Sequence, residues 1–410
     1  MININSNKKL EVYINNEFNK IRKVNLNKLT SKYFGEIGST SCEDISYNKQ
    51  LEVKVSALKN IFNDLYNCES YSIIPSPRIL NYRFKMDFVC SYDPFHEPKS
   101  RFGQRKKGKF NWVVDMDECN LIDKKWFKKI RNIYNKSQEL NLRNYDLIAH
   151  DGELRYLVSK IYTEQAMLII ITKTSDNSVT LDKLGEEALL LGFESVYWLQ
   201  QKSEGDLSTG IVIKYWGKES IRIPLKINNK INYFNIKPNT FFQNNLELFK
   251  LLLSKVSNYL DTIPHKELLI DLYCGVGTIG ISLAHQVKHV LGIDIVGESI
   301  ELAKKNAELN AVNNFSFQQA DINNKDLTSL NIKDGIIIVD PPRIGLEVKG
   351  VINLLKMDPK YIVYISCNPI TQYNDLIQII KEGYAIELLE GYDMFPQTNH
   401  IENLAILKKN

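Results

Sequence analysis

The sequence predicts an α/β protein, with a mostly parallel sheet covered by helices on both faces in its C-terminal part and an α+β domain ahead of it. Three observations lead there. After Thr240 apolar runs recur between helical stretches: ELLIDLY (267–273), HVLGID (289–294), FSFQQAD (315–321), GIIIVD (335–340) and YIVYIS (361–366). Strands that are apolar throughout belong to sheets buried on both faces. The first run leads into a glycine-rich turn and then a helix, the opening of a βαβ unit. Finally, each run ends in a polar group, and in open α/β sheets ligands collect at the carboxyl ends of the strands.

The rest of the chain divides around this half. At 410 residues it exceeds the size at which one core stops growing. We expect an N-terminal extension or small subdomain over 1–45, an α+β domain over 46–235 and the parallel-sheet domain over 236–410. Residues 1–45 are rich in Asn and Lys and receive no assignment. From Tyr47 to Tyr66, apolar residues at Leu51, Val55, Leu58, Ile61, Phe62 and Leu65 recur at threes and fours, predicting an amphipathic helix. Between 70 and 235, β-rich runs (84–91, 112–116, 153–158, 166–173, 195–200, 210–215) mix with helical segments near 123–141 and 179–191.

Composition narrows the function classes. Apolar residues are 44% and charged residues 24% of the chain, as in ordinary globular proteins. No apolar stretch could cross a bilayer, and MININSNKK has no signal-peptide core, so a cytoplasmic protein without a membrane partner is expected. Six scattered cysteines with no CxxC pair predict reduced thiols and no structural zinc or other metal. The net charge of +4 is too small to mark a polyanion-binding protein. Its distribution says more, because between Arg78 and Lys109 basic side chains (Arg83, Lys85, Arg101, Arg105) alternate with rings (Tyr82, Phe84, Phe88, Phe102). Cations interleaved with stacking surfaces suit looped RNA, and equally a solvated strand pair with buried rings.

The chemistry gathers at the strand ends. Gly275, Gly277 and Gly280 form G-x-G-x-x-G after a strand, and Asp294 ends the next strand, where a carboxylate can accept from both hydroxyls of a ribose. That spacing fits a nicotinamide dinucleotide or S-adenosylmethionine. Asp271, on the strand ahead of the glycines, favours a cationic sulfonium over a pyrophosphate, and Asp321 at a third strand end is placed to meet adenine. The run at 336–339 leads into Asp340-Pro341-Pro342-Arg343, where two prolines stiffen the exit and hold a carboxylate at the sheet edge. The following strand ends in Ser366-Cys367-Asn368-Pro369, which brings a thiol to the same edge. A thiolate there could add to carbon 6 of a pyrimidine and make carbon 5 nucleophilic, the activation a uracil needs before it can take a methyl group. A base must then remove the carbon-5 proton. Glu402 in His400-Ile401-Glu402 is the best-placed carboxylate in sequence, with His400 as the alternative.

These motifs, with Phe241-Phe242-Gln243-Asn244-Asn245, DLYCGVG at 271–277 and the closing HIEN at 400–403, resemble those of the RNA uridine-5-methyltransferases, which form 5-methyluridine in transfer RNA or in 23S ribosomal RNA. The resemblance covers most of the chain. It implies a Rossmann-like methyltransferase domain, a middle RNA-binding domain, and contacts from Gln243, Tyr273, Asp294 and Asp340 to S-adenosylmethionine. It also implies Cys367 as the nucleophile and Glu402 as the proton-abstracting base, in a monomeric enzyme. Cys274 looks like a packing residue. Ribosomal members of the resemblance often carry an iron–sulfur cluster on four cysteines. Here only Cys42, displaced from that pattern, and Cys119 stand near the expected places, so no cluster is expected. Two other readings of the same residues are methylation of an exocyclic nitrogen, with Cys367 a bystander, and a non-catalytic RNA-binding factor on this scaffold.

Overall fold

The structure, a computed structural model, describes residues 6–22, 31–67, 71–323, 330 and 332–410. Its C-terminal sheet has eight strands in the order Ile73–Ile74, Tyr384–Tyr392, Glu402–Lys409, Tyr361–Ser366, Ile336–Val339, Leu268–Leu272, His289–Asp294 and Phe315–Gln319. Every neighbouring pair is parallel except the two made by Glu402–Lys409, which opposes both of its neighbours. The central strands are the unbroken apolar runs of the sequence, and Ile336–Val339 is buried at every position. Their side chains alternate between two cores. Ile336, Ile338 and Val363 join Leu252 and Val256 of the helix Leu246–Asp261 on one face, while Ile337, Val339 and Ile362 join Leu354 and Leu376 of the helices Glu347–Lys356 and Pro369–Lys381 on the other.

The middle sheet has seven strands in the order Val113–Asp115, Ser100–Arg105, Lys85–Tyr92, Leu154–Tyr162, Gln165–Thr172, Ser195–Gln200 and Ile211–Gly217. Helices Lys124–Glu139 and Ser178–Leu190 cover one face through Trp126, Phe127, Ile130, Leu181 and Leu184. From the other face Val89, Tyr156, Val158 and Tyr197 enter the same apolar cluster as Leu252 and Ile336, so the two sheets share a core.

The N-terminal segment is more ordered than its composition suggests. Asn7–Arg22 is a helix whose buried Leu10, Ile14 and Phe18 recur every fourth residue and join Val53, Leu58 and Phe62 of the helix Tyr47–Phe62. This second helix was expected with the middle domain, yet it packs in the core of the C-terminal sheet. Arg22 closes the arrangement by donating to both carboxylate oxygens of Asp44 and to the Ser41 carbonyl. The basic and aromatic stretch divides as well. Phe84, Phe88 and Phe102 are buried, whereas Phe110 is exposed under Arg105 and Trp112 carries Arg101 at 4.2 Å over its ring.

One interaction between distant segments stands out energetically. Lys54 of the helix Tyr47–Phe62 donates to Asp393, just past the strand Tyr384–Tyr392, and both side chains are 0% exposed. A buried pair contributes little over an apolar isostere, but removing one partner strands a charge in low dielectric. Lys54→Ala is therefore expected to lower stability by about 3–5 kcal/mol, measured by urea unfolding. Lys54→Met combined with Asp393→Leu should recover most of that loss.

Candidate active site

The loop leaving Leu268–Leu272 is built for close approach. Tyr273, Gly275 and Gly277 all have left-handed backbones (φ +62°, +53° and +81°), a conformation that glycine adopts freely and tyrosine at a cost. A side chain beginning at Gly275 would meet nothing within 4 Å, so the backbone there lies open. Gly277 caps the helix Thr278–Leu283. Asp294 braces the loop, accepting from the Gly275 amide at 2.9 Å and the Val296 amide at 2.8 Å. A carboxylate has about four lone-pair sites, so capacity remains for a ligand.

Asp271 differs from the sequence reading. It is 1% exposed and accepts from the Gly280 amide at 2.8 Å, bracing the helix start from within the sheet instead of lying open to a ligand. Burial pushes its carboxyl up to about 7, with the charges of Asp340 and Asp294 adding to that rise. Gly280 is needed there, because a Cβ would lie 2.7 Å from the Phe315 ring and 2.9 Å from the Asp271 carboxylate.

The segment 241–245 ties three elements to the sheet edge. Phe242 packs edge-on against Phe84 at 5.4 Å. Gln243 donates to Asp340 at 3.0 Å. The Asn244 carbonyl accepts from the Phe84 amide, and Asn245 caps the helix Leu246–Asp261 by accepting from the Leu248 amide. Asp340, at the end of Ile336–Val339, is pushed up to about 7 by burial, opposed by the Gln243 hydrogen bond. Asp321 accepts from the Asn323 amide at 2.9 Å just past Phe315–Gln319. Gln243, Tyr273, Gly275, Gly277, Asp294, Asp321 and Asp340 thus all stand at the carboxyl edge of the C-terminal sheet or in the segments bonded to it.

Cys367 and Glu402 meet at that same edge. In the antiparallel ladder Tyr361 pairs with Lys408 and Ser366 with Asn403. Cys367 and Glu402 each lie one residue beyond this last pair, and the Glu402 carboxylate is near enough to act on the Cys367 thiol. The turn after Ser366 is rigid. Asn368 accepts from the Ile370 amide as the cap of Pro369–Lys381 and donates to the Arg343 carbonyl at 2.8 Å, which joins the SCNP and DPPR segments. Cys367 opens into a cleft also lined by Arg343, Asn368, Lys107 and His400. Cys274, in contrast, is buried.

Comparison with known proteins supplies the family. The family model described as "tRNA (Uracil-5-)-methyltransferase" matches residues 208–410. A tRNA (uracil(54)-C(5))-methyltransferase of Pyrococcus furiosus is 35% identical over 382 residues, 92% of this chain and 84% of that one. An uncharacterised RNA methyltransferase of Caldanaerobacter subterraneus is 32% identical over 387 residues, again 92% and 84%. The crystal structure of the Pyrococcus abyssi tRNA (uracil-54, C5)-methyltransferase in complex with S-adenosyl-L-homocysteine superposes with a TM-score of 0.71 at 31% identity, over 89% of this chain and 84% of that one. The chain belongs to the tRNA (uracil-5-)-methyltransferase family.

In this family member opposing charges surround the thiol. The Cys367 thiol is pushed up to about 12 by burial, then by the carboxylates of Glu402 and Asp340, against the opposing pull of Arg343. Glu402, 4% exposed, is raised well above the usual carboxylate range by burial and then by Asp340. His400 is drawn down to about 4 by burial and by Arg343, Lys54 and Arg83, which leaves its imidazole neutral. Cys42 donates to Asn399 at 3.3 Å, and Cys119 lies in a different apolar cluster. Among the described residues no helix is long and apolar enough to cross a membrane.

Sequence reasoning missed the cleft's outer side, formed by Asn7, Leu10, Glu11, Gly38 and Ser41. The four-residue spacing of Leu10, Ile14 and Phe18 was the available signal. The thiol's surroundings lead to a measurable consequence. A carboxylate beside a thiol raises its pKa, so Glu402→Gln is expected to move the pH profile of Cys367 alkylation to lower pH. Cys367 is the one described cysteine that is not buried, and its modification is followed on its own peptide by mass spectrometry. An unshifted profile would show that the carboxylate does not act on the thiol.

Proposed function

We propose that this chain methylates carbon 5 of a uridine in a transfer RNA or in 23S ribosomal RNA through a covalent Cys367 adduct, using S-adenosylmethionine. The observation that carries this reading is that the antiparallel ladder ends at Ser366 and Asn403, with Cys367 and Glu402 each one residue beyond that last pair and the Glu402 carboxylate acting on the Cys367 thiol. The relatives' names support uracil carbon 5, and the structural neighbour's ligand supports the cofactor.

The residues at the edge fit that cofactor. Gly275 leaves bare backbone for a nucleoside. Asp294 can accept from ribose hydroxyls, Asp321 can meet the adenine, and Tyr273 flanks the loop. Asp340, held by Gln243, presents a carboxylate to a cationic sulfonium. When bound, S-adenosylmethionine supplies an electrophilic methyl group. The middle domain, with Trp112 and Phe110 under their cations, grips the RNA while the target base is turned out into the cleft.

The protein's own steps then follow. The Cys367 thiol gives up its proton to solvent in the cleft it lines, the thiolate being favoured by Arg343 and by the positive end of the helix Pro369–Lys381. Its sulfur bonds to carbon 6, and the carbon 5–carbon 6 pair moves toward the carbon-4 oxygen. Carbon 5 uses that pair to take the methyl group. Glu402 accepts the carbon-5 proton, the double bond reforms, and the sulfur leaves as thiolate. Arg343 and a bound sulfonium cation favour the ionised form of Glu402, and once ionised a carboxylate of raised pKa is the stronger base for this step.

Cys367→Ala should abolish 5-methyluridine formation, scored by mass spectrometry on transfer and ribosomal RNA. Glu402→Gln should bind RNA and take up one methyl group but release product at least ~10²-fold more slowly, so that methylated adduct accumulates. Normal turnover in Glu402→Gln would remove this residue from the mechanism. Mapping 5-methyluridine in RNA from cells lacking the gene decides between the two RNA classes.

A further inference from the structure

Building on the proposed function, we infer that the N-terminal helix Asn7–Arg22 belongs to the RNA site: it forms the outer wall of the Cys367 cleft and contacts the nucleotide placed there. Asn7, Leu10 and Glu11 of its first two turns line the cleft together with Cys367, Arg343 and Lys107.

This wall is fastened to the catalytic loop. Asn399, one residue before His400, donates to Asn15 of the helix at 3.0 Å and accepts from Cys42 at 3.3 Å, so the N-terminal segment holds both ends of one amide. Tyr13 shares a 2.7 Å hydrogen bond with Ser56, and Leu10, Ile14 and Phe18 are buried against the helix Tyr47–Phe62. A helix anchored in this way keeps its first turns at a fixed distance from the thiol.

The charges in the cleft are also directional. Lys107 and Arg343 supply cations, and Glu11 is the one carboxylate among the described residues lining it. A phosphate is drawn to the cations and repelled by Glu11, so the RNA backbone must pass on the Lys107 and Arg343 side with the base turned toward the helix. There Asn7, exposed on the first turn, offers a donor and an acceptor to a base edge.

Asn7 and Glu11 are exposed, so substitutions there leave the helix core intact. In Asn7→Ala/Glu11→Ala the KM for an unmodified RNA transcript, transfer or ribosomal, whichever accepts methyl groups, should rise roughly ten-fold. The Kd for S-adenosylmethionine should stay within about two-fold of wild type, since none of the residues assigned to the cofactor lines the cleft beside Asn7 and Glu11. Glu11→Lys should bind either transcript more tightly, with a salt dependence steeper by about one counterion. Lys20→Ala, on the outer face where Lys20 pairs with Glu17, serves as the unaffected control. Wild-type KM in the double variant, or a wild-type salt slope in Glu11→Lys, would overturn the inference. The affinity and salt slope of Glu11→Lys are read without turnover, so that arm of the test holds whether or not Cys367 is the nucleophile.

Discussion

The site depends on one antiparallel ladder, between Tyr361–Ser366 and Glu402–Lys409, inside a sheet that is otherwise parallel. The parallel strands end at the edge where ligands collect, and the reversed strand begins there. A residue at the start of the last strand and a residue just after Ser366 can therefore face each other. A slip of one residue would send Glu402 to the opposite face of the sheet. The register is held by Leu404, Ala405, Ile406 and Leu407, all 0% exposed. It is held as well by Asn403, which donates to Gln372 at 2.6 Å and accepts from Tyr71. Polar groups buried in an apolar strand lose their partners if the register moves, which makes the alignment of Cys367 and Glu402 expensive to disturb.

Around that ladder the protein concentrates carboxylates it cannot readily ionise. Asp271, Asp340 and Glu402 are all raised, in each case chiefly by burial and, for Asp271 and Glu402, also by Asp340. A cation placed beside such carboxyls lowers their pKa values, and their ionised forms stabilise the cation in return. A sulfonium is such a cation. The thiol experiences the same field in reverse, protected as a neutral group until a substrate reaches it. Arg343, exposed at the mouth and joined through its carbonyl to Asn368, is the cation that opposes this field nearest the sulfur.

Much of this was legible because parallel strands write their ends into the sequence. HVLGID and YIVYIS stop where the strands stop, with Asp294 the last residue of its strand and Asp340 and Cys367 the first residues after theirs. The burial of Asp271 could not be read from its motif, since its position on a central strand places it within the sheet. The hairpin Ile221–Ile227 and Lys230–Ile236 escaped notice although its first strand alternates cleanly in burial, because Pro224 argues against a strand interior. The helix Asn7–Arg22 was hidden by its asparagines, which are poor helix formers, and its stability comes from packing against Tyr47–Phe62. The pairing of Cys367 with Glu402 could not be read from either motif alone, because a register between two distant segments leaves no local trace.

The most direct test is covalent capture. An RNA substrate carrying 5-fluorouridine has no carbon-5 proton for a base to remove, so a thiol adduct that takes up the methyl group cannot be released. Incubated with S-adenosylmethionine, wild-type protein should give a denaturation-resistant RNA complex whose peptide map places the nucleotide on Cys367. Methylation of RNA with no such complex, or a crosslink on any other residue, would contradict the account.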